Sequence, residues 1–321
     1  MIALDCTFRD GGYYNNWEFN IELANRYLKV MEKSQIHAVE IGFRSHPEKQ
    51  IGIFAKVSDE FINENLYKPN VEYFGVMVNT GDMNAELIKK LFVYSDEAPI
   101  NLVRAATHFH HLHIGEVVCK ELKNLGYFVT CNLMQAAGKS FDEIKTAAKR
   151  IQDWGAVDVL YLADSLGGMN HDTVNYAFKA IREGWEGPVG FHGHNNKGQA
   201  LINSLEAVDI GVEWVDGTML GMGRGPGNTE TEYLLAELNK RDFGGFKLKQ
   251  IYQLILDEFL SLKKQYNWGP SLTYYLSAEY NIHPIYIQKM GDEDDILKAI
   301  YYLKDKRAAF FDANLFKESL R

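Results

Sequence analysis

The sequence has few cysteines, no long hydrophobic run and no block of positive charge. Its three cysteines, Cys6, Cys119 and Cys131, form no CxxC pair, which argues against a disulfide framework and for reduced thiols in a cytoplasmic protein. No apolar run approaches the roughly 18 residues that span a bilayer, and the N-terminus has no charged and apolar export signal. We therefore expect a cytoplasmic protein with no membrane partner.

The net charge of −9 and the absence of a basic block also argue against nucleic acid as a partner, because a phosphate backbone is bound by clustered Lys and Arg. The chain is rich in hydrophobic residues. Its 321 residues are 46% hydrophobic, enough to bury the core of one large domain or two small ones.

Short apolar runs alternate with segments whose apolar residues lie three and four apart, as in amphipathic helices. Several of these segments stop at a glycine, as helix C-termini do: Gly126, Gly155, Gly184 and Gly211. Eight runs predict strands, at residues 2–7, 37–43, 71–78, 101–107, 127–134, 157–164, 188–194 and 214–220. Eight βα units in about 240 residues predict a (β/α)₈ TIM barrel. The competing doubly wound sheet expects GxGxxG after the first strand, where this chain has RDGGYY.

The rhythm changes after residue 245. Residues 246–267 predict a long amphipathic helix. Residues 268–290 are aromatic with helical stretches, and residues 291–307 predict a helix opened by acidic residues. We therefore predict a catalytic barrel over 1–245 and a helical extension over 246–321 that packs on it, either covering the barrel mouth or forming a homo-oligomer contact.

Polar residues gather where the predicted strands end, which is where barrel enzymes build their active sites. His192 and His194 lie two apart on the seventh strand, so both imidazoles should face one space. With Asp10 at the end of the first strand, they would form a facial site for a divalent metal. The alternative is a pair of partly buried histidines bonded to neighbours. The glycine-rich loop 221–228 could be a flexible loop or a phosphate-binding turn, or Asn228 in it could supply a fourth ligand through its amide oxygen.

Arg9 and Asp10 have an ordinary explanation, an ion pair at the barrel rim. Neighbours on a regular strand face opposite ways, so we expect no direct pair and predict that Arg9 instead donates to an oxyanion of the substrate. The glycines after them let the chain turn sharply and leave room for a ligand. In HFHHLH (108–113), we expect His108 to face the site and the other three to lie at the surface or rim: His110, His111 and His113.

The first-strand segment LDCTFRDGGYYNNWEF resembles the signature of metal-dependent carbon–carbon lyases and synthases built on a barrel. That group includes hydroxymethylglutaryl-CoA lyase, isopropylmalate synthase and 4-hydroxy-2-oxovalerate aldolase. The segment HGHNNKGQALINSLEAVDIGVEWVDGTMLGMGRGPGN resembles its seventh and eighth units, so the resemblance covers residues 2 to about 240. VRAATHF (103–109) and YLADSLGGM (161–169) are most similar to 4-hydroxy-2-oxovalerate aldolase. The loop GMGRGPGN lacks the cysteine of the acyl-CoA lyases.

The resemblance implies that Asp10, His192 and His194 bind Mn²⁺ or Mg²⁺, with Asn228 a ligand in some members only. It implies that Arg9 stabilises the enolate oxygen of pyruvate. Candidate contacts to the substrate, a 2-oxo acid and an aldehyde, are Arg9, Arg104, Ser165, Tyr274 and Tyr275. The relative's dehydrogenase partner makes an aldehyde dehydrogenase a candidate partner here.

One position departs from that family. Its pyruvate aldolases carry a histidine base three residues after the metal aspartate, and this chain has Tyr13. An ordinary tyrosine titrates near pH 10 and is a poor base at neutrality. Either nearby positive charge activates Tyr13, or the base lies elsewhere, with His108 and Tyr274 or Tyr275 as candidates. The resulting expectation is a metal-dependent aldolase acting on a 4-hydroxy-2-oxo acid. Two alternatives stay open: a condensing synthase that uses an acyl-CoA, and a catalytically silent metal-binding barrel.

Overall fold

Eight parallel strands close into a barrel in sequence order in a computed structural model, which describes residues 1–46, 51–136, 138–290 and 295–320. Strand β8 returns to β1 in a register that runs from Ile2 opposite Trp214 to Asp5 opposite Gly217. The predicted (β/α)₈ barrel is confirmed. The strands are β1 (Ile2–Asp5), β2 (Ala38–Phe43), β3 (Tyr73–Asn79), β4 (Leu102–His108), β5 (Phe128–Met134), β6 (Val159–Ala163), β7 (Val189–His192) and β8 (Trp214–Gly217).

A helix follows each strand and covers the outside of the barrel. Side-chain caps start several of them; at α5, Ser140 and Glu143 form a reciprocal capping box. The helices that precede the four predicted stop glycines each end two residues before the glycine. The helices are α1 (Ile21–Lys33), α2 (Asp59–Asn65), α3 (Ala85–Leu91), α4 (Leu112–Asn124), α5 (Phe141–Asp153), α6 (His171–Arg182), α7 (Ala200–Asp209) and α8 (Thr231–Lys240).

Three strands that carry site residues end earlier than their apolar runs suggest. β1 stops at Asp5, whose carboxylate accepts hydrogen bonds from the backbone N–H of Thr7 at 2.9 Å and from its hydroxyl at 2.6 Å. The chain then makes a helical turn over Thr7–Asp10. β7 stops at His192 and β8 at Gly217. Several of the predicted strand-end residues therefore lie on turns above the barrel.

The chain after the barrel is helical, as predicted. α9 (Lys249–Leu254), a π-helical segment (Ile255–Phe259) and α10 (Leu260–Tyr266) continue one another, and α11 (Leu272–Glu279), α12 (Pro284–Met290), α13 (Ile296–Asp305) and α14 (Ala313–Ser319) follow. The acidic residues expected to open the helix at 291–307 fall mostly outside the described residues.

The extension has two packing environments. Ile251 and Phe259 belong to the main hydrophobic core of the barrel, whereas Tyr286 and Ile300 belong to a separate core formed by the later helices. The division at residue 245 stays a prediction, since the first helical stretch beyond it shares the barrel core.

The three cysteines are buried free thiols, which agrees with the prediction of reduced cysteines. Within the described ranges, no helix is long and apolar enough to cross a membrane.

Candidate active site

A cavity of about 530 Å³ opens where the barrel strands end, which is a typical size for a small-molecule site. Both the barrel loops and the C-terminal extension line it. Its ionisable and aromatic lining includes Arg9, Asp10, Tyr13, His108, His192, His194, Arg224, His283 and Phe311.

Arg9 and Asp10 form a direct ion pair at 2.7 Å, with both side chains buried. The expectation that they would not pair was wrong. It assumed a regular strand, but residues 7–10 form a helical turn in which neighbouring side chains are not forced to opposite faces. Arg9 Nε also contacts Glu40 Oε1 at 2.5 Å, so two carboxylates hold the guanidinium at the cavity wall.

His192 and His194 pack edge to face, with their ring centroids 4.9 Å apart and their planes at 81°. Each is held through Nδ1. That atom lies 2.8 Å from Asp216 Oδ2 in His192 and 2.9 Å from the Asp164 carbonyl oxygen in His194. Both partners are acceptors, so Nδ1 carries a proton in each ring.

The Nε2 atom of His192 is buried and has no hydrogen-bond partner among the described residues. Asp10 Oδ2 lies 3.5 Å away from it. One ligand atom from each of Asp10, His192 and His194 falls within 4.8 Å of the others. Two orientated imidazoles and a carboxylate around one point fit a divalent cation.

Asn228 reaches this group through Asp10. Its Nδ2 donates a hydrogen bond to Asp10 Oδ2, while its Oδ1 is buried without a partner in the described part of the chain. An isolated antiparallel β-bridge between His194 and Asn228 joins the loop after β7 to the loop after β8. Asn228 is therefore adjacent to the three other residues, and its role as a ligand stays a prediction.

The charges around this group shift its protonation equilibria. Burial alone would raise the pKa of Asp10, but the Arg9 charge and His192 hold it well below its usual value. Burial, with the charges of Arg224 and His192, holds the pKa of His194 well below normal. Asp10 is therefore ionised and His194 neutral at neutral pH, which are the forms that bind metal.

A buried charge network lies beneath this group. Arg104 pairs with Glu40 at 3.2 Å and with Asp216 at 2.6 Å, and its guanidinium stacks over Tyr161 at 4.5 Å. Arg104 does not line the cavity, so its expected contact with substrate is not what the structure shows. It reaches the site through Asp216, which in turn holds His192.

Tyr13 lines the cavity, but the proposed activation by positive charge is not what its surroundings produce. Burial raises its pKa, and the nearby Arg224 and Arg9 offset this only in part. The phenol therefore stays protonated and can donate but not accept a proton at neutral pH. His108 lines the same cavity, and burial lowers its pKa.

Ser165 lies at the cavity wall, where its hydroxyl accepts a hydrogen bond from the Gln135 N–H at 3.1 Å. Tyr274 and Tyr275, the two tyrosines of the extension that were predicted to contact substrate, do not line the cavity, contrary to expectation. Tyr274 is buried against Tyr14. Tyr275 is 46% exposed and lies beside Lys197. Sequence reasoning could not tell which face of α11 would meet the barrel.

As predicted, three histidines are exposed: His110, His111 and His113.

Sequence reasoning missed Arg224, His283 and Gln288. Arg224 stands in the glycine-rich loop after β8, and a single arginine among glycines was a usable signal. His283 and Gln288 come from the extension and meet the barrel only through long-range packing. Gln288 Nε2 donates to the Tyr13 carbonyl oxygen at 3.0 Å, and its Oε1 accepts from the Gly225 N–H at 3.2 Å.

The chain is similar to several known proteins that are named as aldolases or as a decarboxylase. A 4-hydroxy-2-oxovalerate aldolase from Carboxydothermus hydrogenoformans is 30% identical over 243 residues, covering 74% of this chain and 70% of the relative. An oxaloacetate decarboxylase from Mycobacterium tuberculosis is 28% identical over 242 residues, covering 75% and 70%. The solved N-terminal domain of a Bacteroides vulgatus protein, described as a candidate aldolase, superposes with a TM-score of 0.84 at 30% identity, covering 93% of this chain and all of that domain.

These relatives bear out the prediction of a carbon–carbon lyase. The family model described as HMGL-like matches residues 1–256, which includes every barrel strand and the residues of the candidate metal site. The chain belongs to the HMGL-like family.

Proposed function

We propose that this protein is a divalent-metal-dependent aldolase that cleaves or forms a 4-hydroxy-2-oxo acid through the enolate of pyruvate. The observation that carries the proposal is the meeting of Asp10, His192 and His194 around one point of the cavity, beside Arg9. The names of the aldolase relatives support the substrate class.

Asp10, His192 and His194 would hold the metal, with Asn228 able to turn its unpaired amide oxygen toward it. Carboxylate and amide oxygens favour Mg²⁺ or Mn²⁺, and the imidazoles shift the preference toward Mn²⁺. A bound cation would supply Lewis-acid polarisation of the 2-oxo acid. Asp216 and the Asp164 carbonyl keep the two imidazoles in the tautomer that this requires.

Arg9 would stabilise negative charge on the substrate. Its Nη1 faces Asp10 and its Nε faces Glu40, while Nη2 donates to no acceptor in the described residues. A preorganised donor of this kind stabilises an enolate oxygen without rearranging during the reaction. The two carboxylates fix its orientation.

His108 is the candidate base for the substrate hydroxyl. Its Nδ1 lies 3.2 Å from Gln135 Oε1, and an amide oxygen only accepts, so Nδ1 carries the proton and Nε2 is free to take one. In cleavage, His108 takes the proton of the 4-hydroxyl, the C3–C4 bond breaks to release an aldehyde, and its electron pair forms the pyruvate enolate. Protonation at C3 then gives pyruvate, and Tyr13 can donate in this step.

The test is exchange of the methyl protons of pyruvate in D₂O, followed by NMR, with Mn²⁺ or Mg²⁺ and then with chelator. We expect the exchange to require metal. Its rate should fall at least about a hundredfold in Asp10→Asn, because the substitution removes both a carboxylate ligand of the metal and the ion-pair partner of Arg9. Asp96→Asn, which changes an exposed aspartate, is the matched control.

Absence of exchange from the wild type with every metal would remove the aldolase proposal and favour a catalytically silent barrel. Binding of acetyl-CoA would favour the acyl-CoA synthase. Decarboxylation is the second candidate, because a related oxaloacetate decarboxylase was found and loss of CO₂ from oxaloacetate also leaves a pyruvate enolate. Release of CO₂ faster than cleavage of any 4-hydroxy-2-oxo acid would select it. The cytoplasmic location, oligomeric state and aldehyde dehydrogenase partner stay predictions.

A further inference from the structure

Arg224 differs from the other arginines near the cavity in having no carboxylate to neutralise it. Arg9 is paired with Asp10 and Glu40, and Arg104 with Glu40 and Asp216. Arg224 makes no ion pair with any described carboxylate. It donates instead to the Ser165 carbonyl oxygen at 2.8 Å, and its Nη1 lies 3.4 Å from His283 Nε2. Its Nε is buried and has no partner among the described residues.

His283 cannot compensate this charge. His283 Nδ1 also lies 3.4 Å from the Ile285 N–H, and a neutral imidazole can accept at only one of its two nitrogens. Burial and the charge of Arg224 lower the pKa of His283 to about 3, so the ring is neutral at neutral pH. Asp82 also lines the cavity, but it is exposed at the rim and accepts from Asn79 at 3.3 Å.

Arg224 lies where the loop after β8 meets the C-terminal extension at the cavity wall. Arg9 already stands beside Asp10 as the donor to the enolate. Arg224 contacts His283 of the extension, and Ile285 and Phe311 of the extension line the same cavity. A three-carbon acid fills only a small part of about 530 Å³, so the cavity has room for a larger second substrate.

We propose that Arg224, positioned by His283, binds a carboxylate at the far end of the second substrate, so that the preferred aldehyde is itself an acid. This inference rests on the proposed aldolase function and names its substrate class. A guanidinium offers Nε–H and an adjacent Nη–H as a fork that matches a carboxylate in bidentate geometry. A buried, unpaired donor also disfavours a neutral aldehyde that leaves it unsatisfied.

The test compares the addition of pyruvate to two aldehydes with four carbons each, butanal and succinic semialdehyde. The quantity measured is the ratio of kcat/KM for the acidic aldehyde to kcat/KM for the neutral one. We expect the wild type to favour succinic semialdehyde and Arg224→Gln to lower the ratio by about ten- to a hundredfold, the value of a hydrogen bond to a charged group. Arg150→Gln, at an exposed arginine outside this cavity, should keep the ratio.

His283 is tested by rescue. His283→Gln keeps an acceptor for Arg224 and should retain most of the ratio, whereas His283→Leu should lower it. Equal ratios for wild type and Arg224→Gln would overturn the proposal. An equal loss for both aldehydes with a raised KM for pyruvate would also overturn it, by assigning Arg224 to the pyruvate carboxylate. Failure of the aldolase function itself is recognised separately, because the wild type would then not exchange pyruvate protons in D₂O.

Discussion

His108 and Tyr13 face one cavity, yet their surroundings give them opposite proton-transfer roles. Burial disfavours the charged form of each group. It therefore lowers the pKa of the imidazole and raises that of the phenol. A neutral histidine with a free Nε2 can accept a proton at neutral pH, whereas a tyrosine whose pKa lies above 10 cannot. In the proposed mechanism, His108 on β4 therefore takes the role of the histidine that pyruvate aldolases carry three residues after the metal aspartate.

The His108 assignment predicts a particular pH profile. We expect His108→Gln to lower kcat by about 10²- to 10⁴-fold, the usual contribution of a general base. In the wild type, kcat/KM should fall as the pH falls through the pKa of His108, below the ordinary value for histidine, because protonation removes the acceptor. The variant should lack that acid limb.

His113→Gln is the matched control for this variant, since His113 is an exposed residue at the start of α4. Mn²⁺ affinity, measured by EPR, should be the same in wild type, variant and control. An acid limb that persists unchanged in His108→Gln would exclude His108 as the base.

Substitution of Arg104 should lower the stability of the fold, because Arg104 belongs to a buried ion network and does not line the cavity. Among the described residues, Arg104→Leu leaves Glu40 with Arg9 and Asp216 with His192 as ion-pair partners. Removing one partner from a buried ion network typically costs about 3–5 kcal/mol. We expect a loss toward the lower end of that range in the free energy of unfolding from urea titration.

The control for Arg104→Leu is Arg150→Leu at the exposed end of α5, which should stay within about 0.5 kcal/mol of wild type. A change of similar size in both variants would show that the buried network contributes little to stability.

At the scale of elements, the loop after β8 holds Asn228 and Arg224 through close backbone packing. A Cβ atom added at Gly223 would lie 2.3 Å from Asn228 Nδ2 and 3.0 Å from Asp10 Oδ2. Contacts that short force the neighbouring side chains to move. The glycine is thus required by the approach of this loop to the candidate ligands.

Gly223→Ala should therefore weaken metal binding by about 10- to 100-fold, as other changes next to metal ligands do. Isothermal titration with Mn²⁺ measures this. Gly245→Ala is the matched control, because nothing lies within 4 Å of a Cβ added there. Equal Mn²⁺ affinities in the two variants would contradict the predicted geometry of the loop.

At the scale of the whole molecule, the extension completes the cavity that the barrel begins. Gln288 joins the turn after β1 to the loop after β8 through its bonds to the Tyr13 carbonyl and the Gly225 N–H. Asn196 and Ser277 make a second polar contact at 3.2 Å, and Lys197 pairs with Glu279 at 2.9 Å. These contacts place His283 and Phe311 against the barrel mouth.

Loss of the Gln288 bridge should loosen the extension. We expect Gln288→Leu to raise KM for the aldehyde several-fold with a smaller change in kcat, and to speed proteolytic cleavage after residue 266, since local opening exposes the chain. Gln250→Leu, on the exposed side of α9, is the control. Kinetics and digestion patterns that match in the two variants would show that Gln288 does not hold the extension in place.

Several features of this protein could be predicted from the sequence because they depend on local periodicity and on the order of elements. The alternation of apolar runs and helices determined the barrel, and the barrel rule placed Asp10, His192 and His194 at one end of it. The HxH spacing brought two imidazoles together even though β7 ends at His192. The exposure of three histidines in HFHHLH could also be predicted, because they lie beyond the end of the strand.

Other features were decided by tertiary structure alone. The Arg9–Asp10 ion pair depends on the turn that Asp5 creates by binding Thr7, and a short side-chain bond of this kind has no periodic signature. Packing across the barrel buries Arg104 below the cavity, raises the pKa of Tyr13 and leaves Tyr275 exposed to solvent. Arg224 and His283 are 59 residues apart in the chain and meet only because the extension folds over the barrel mouth. Burial and charge at a site are properties of everything packed around it, and no local stretch of sequence contains them.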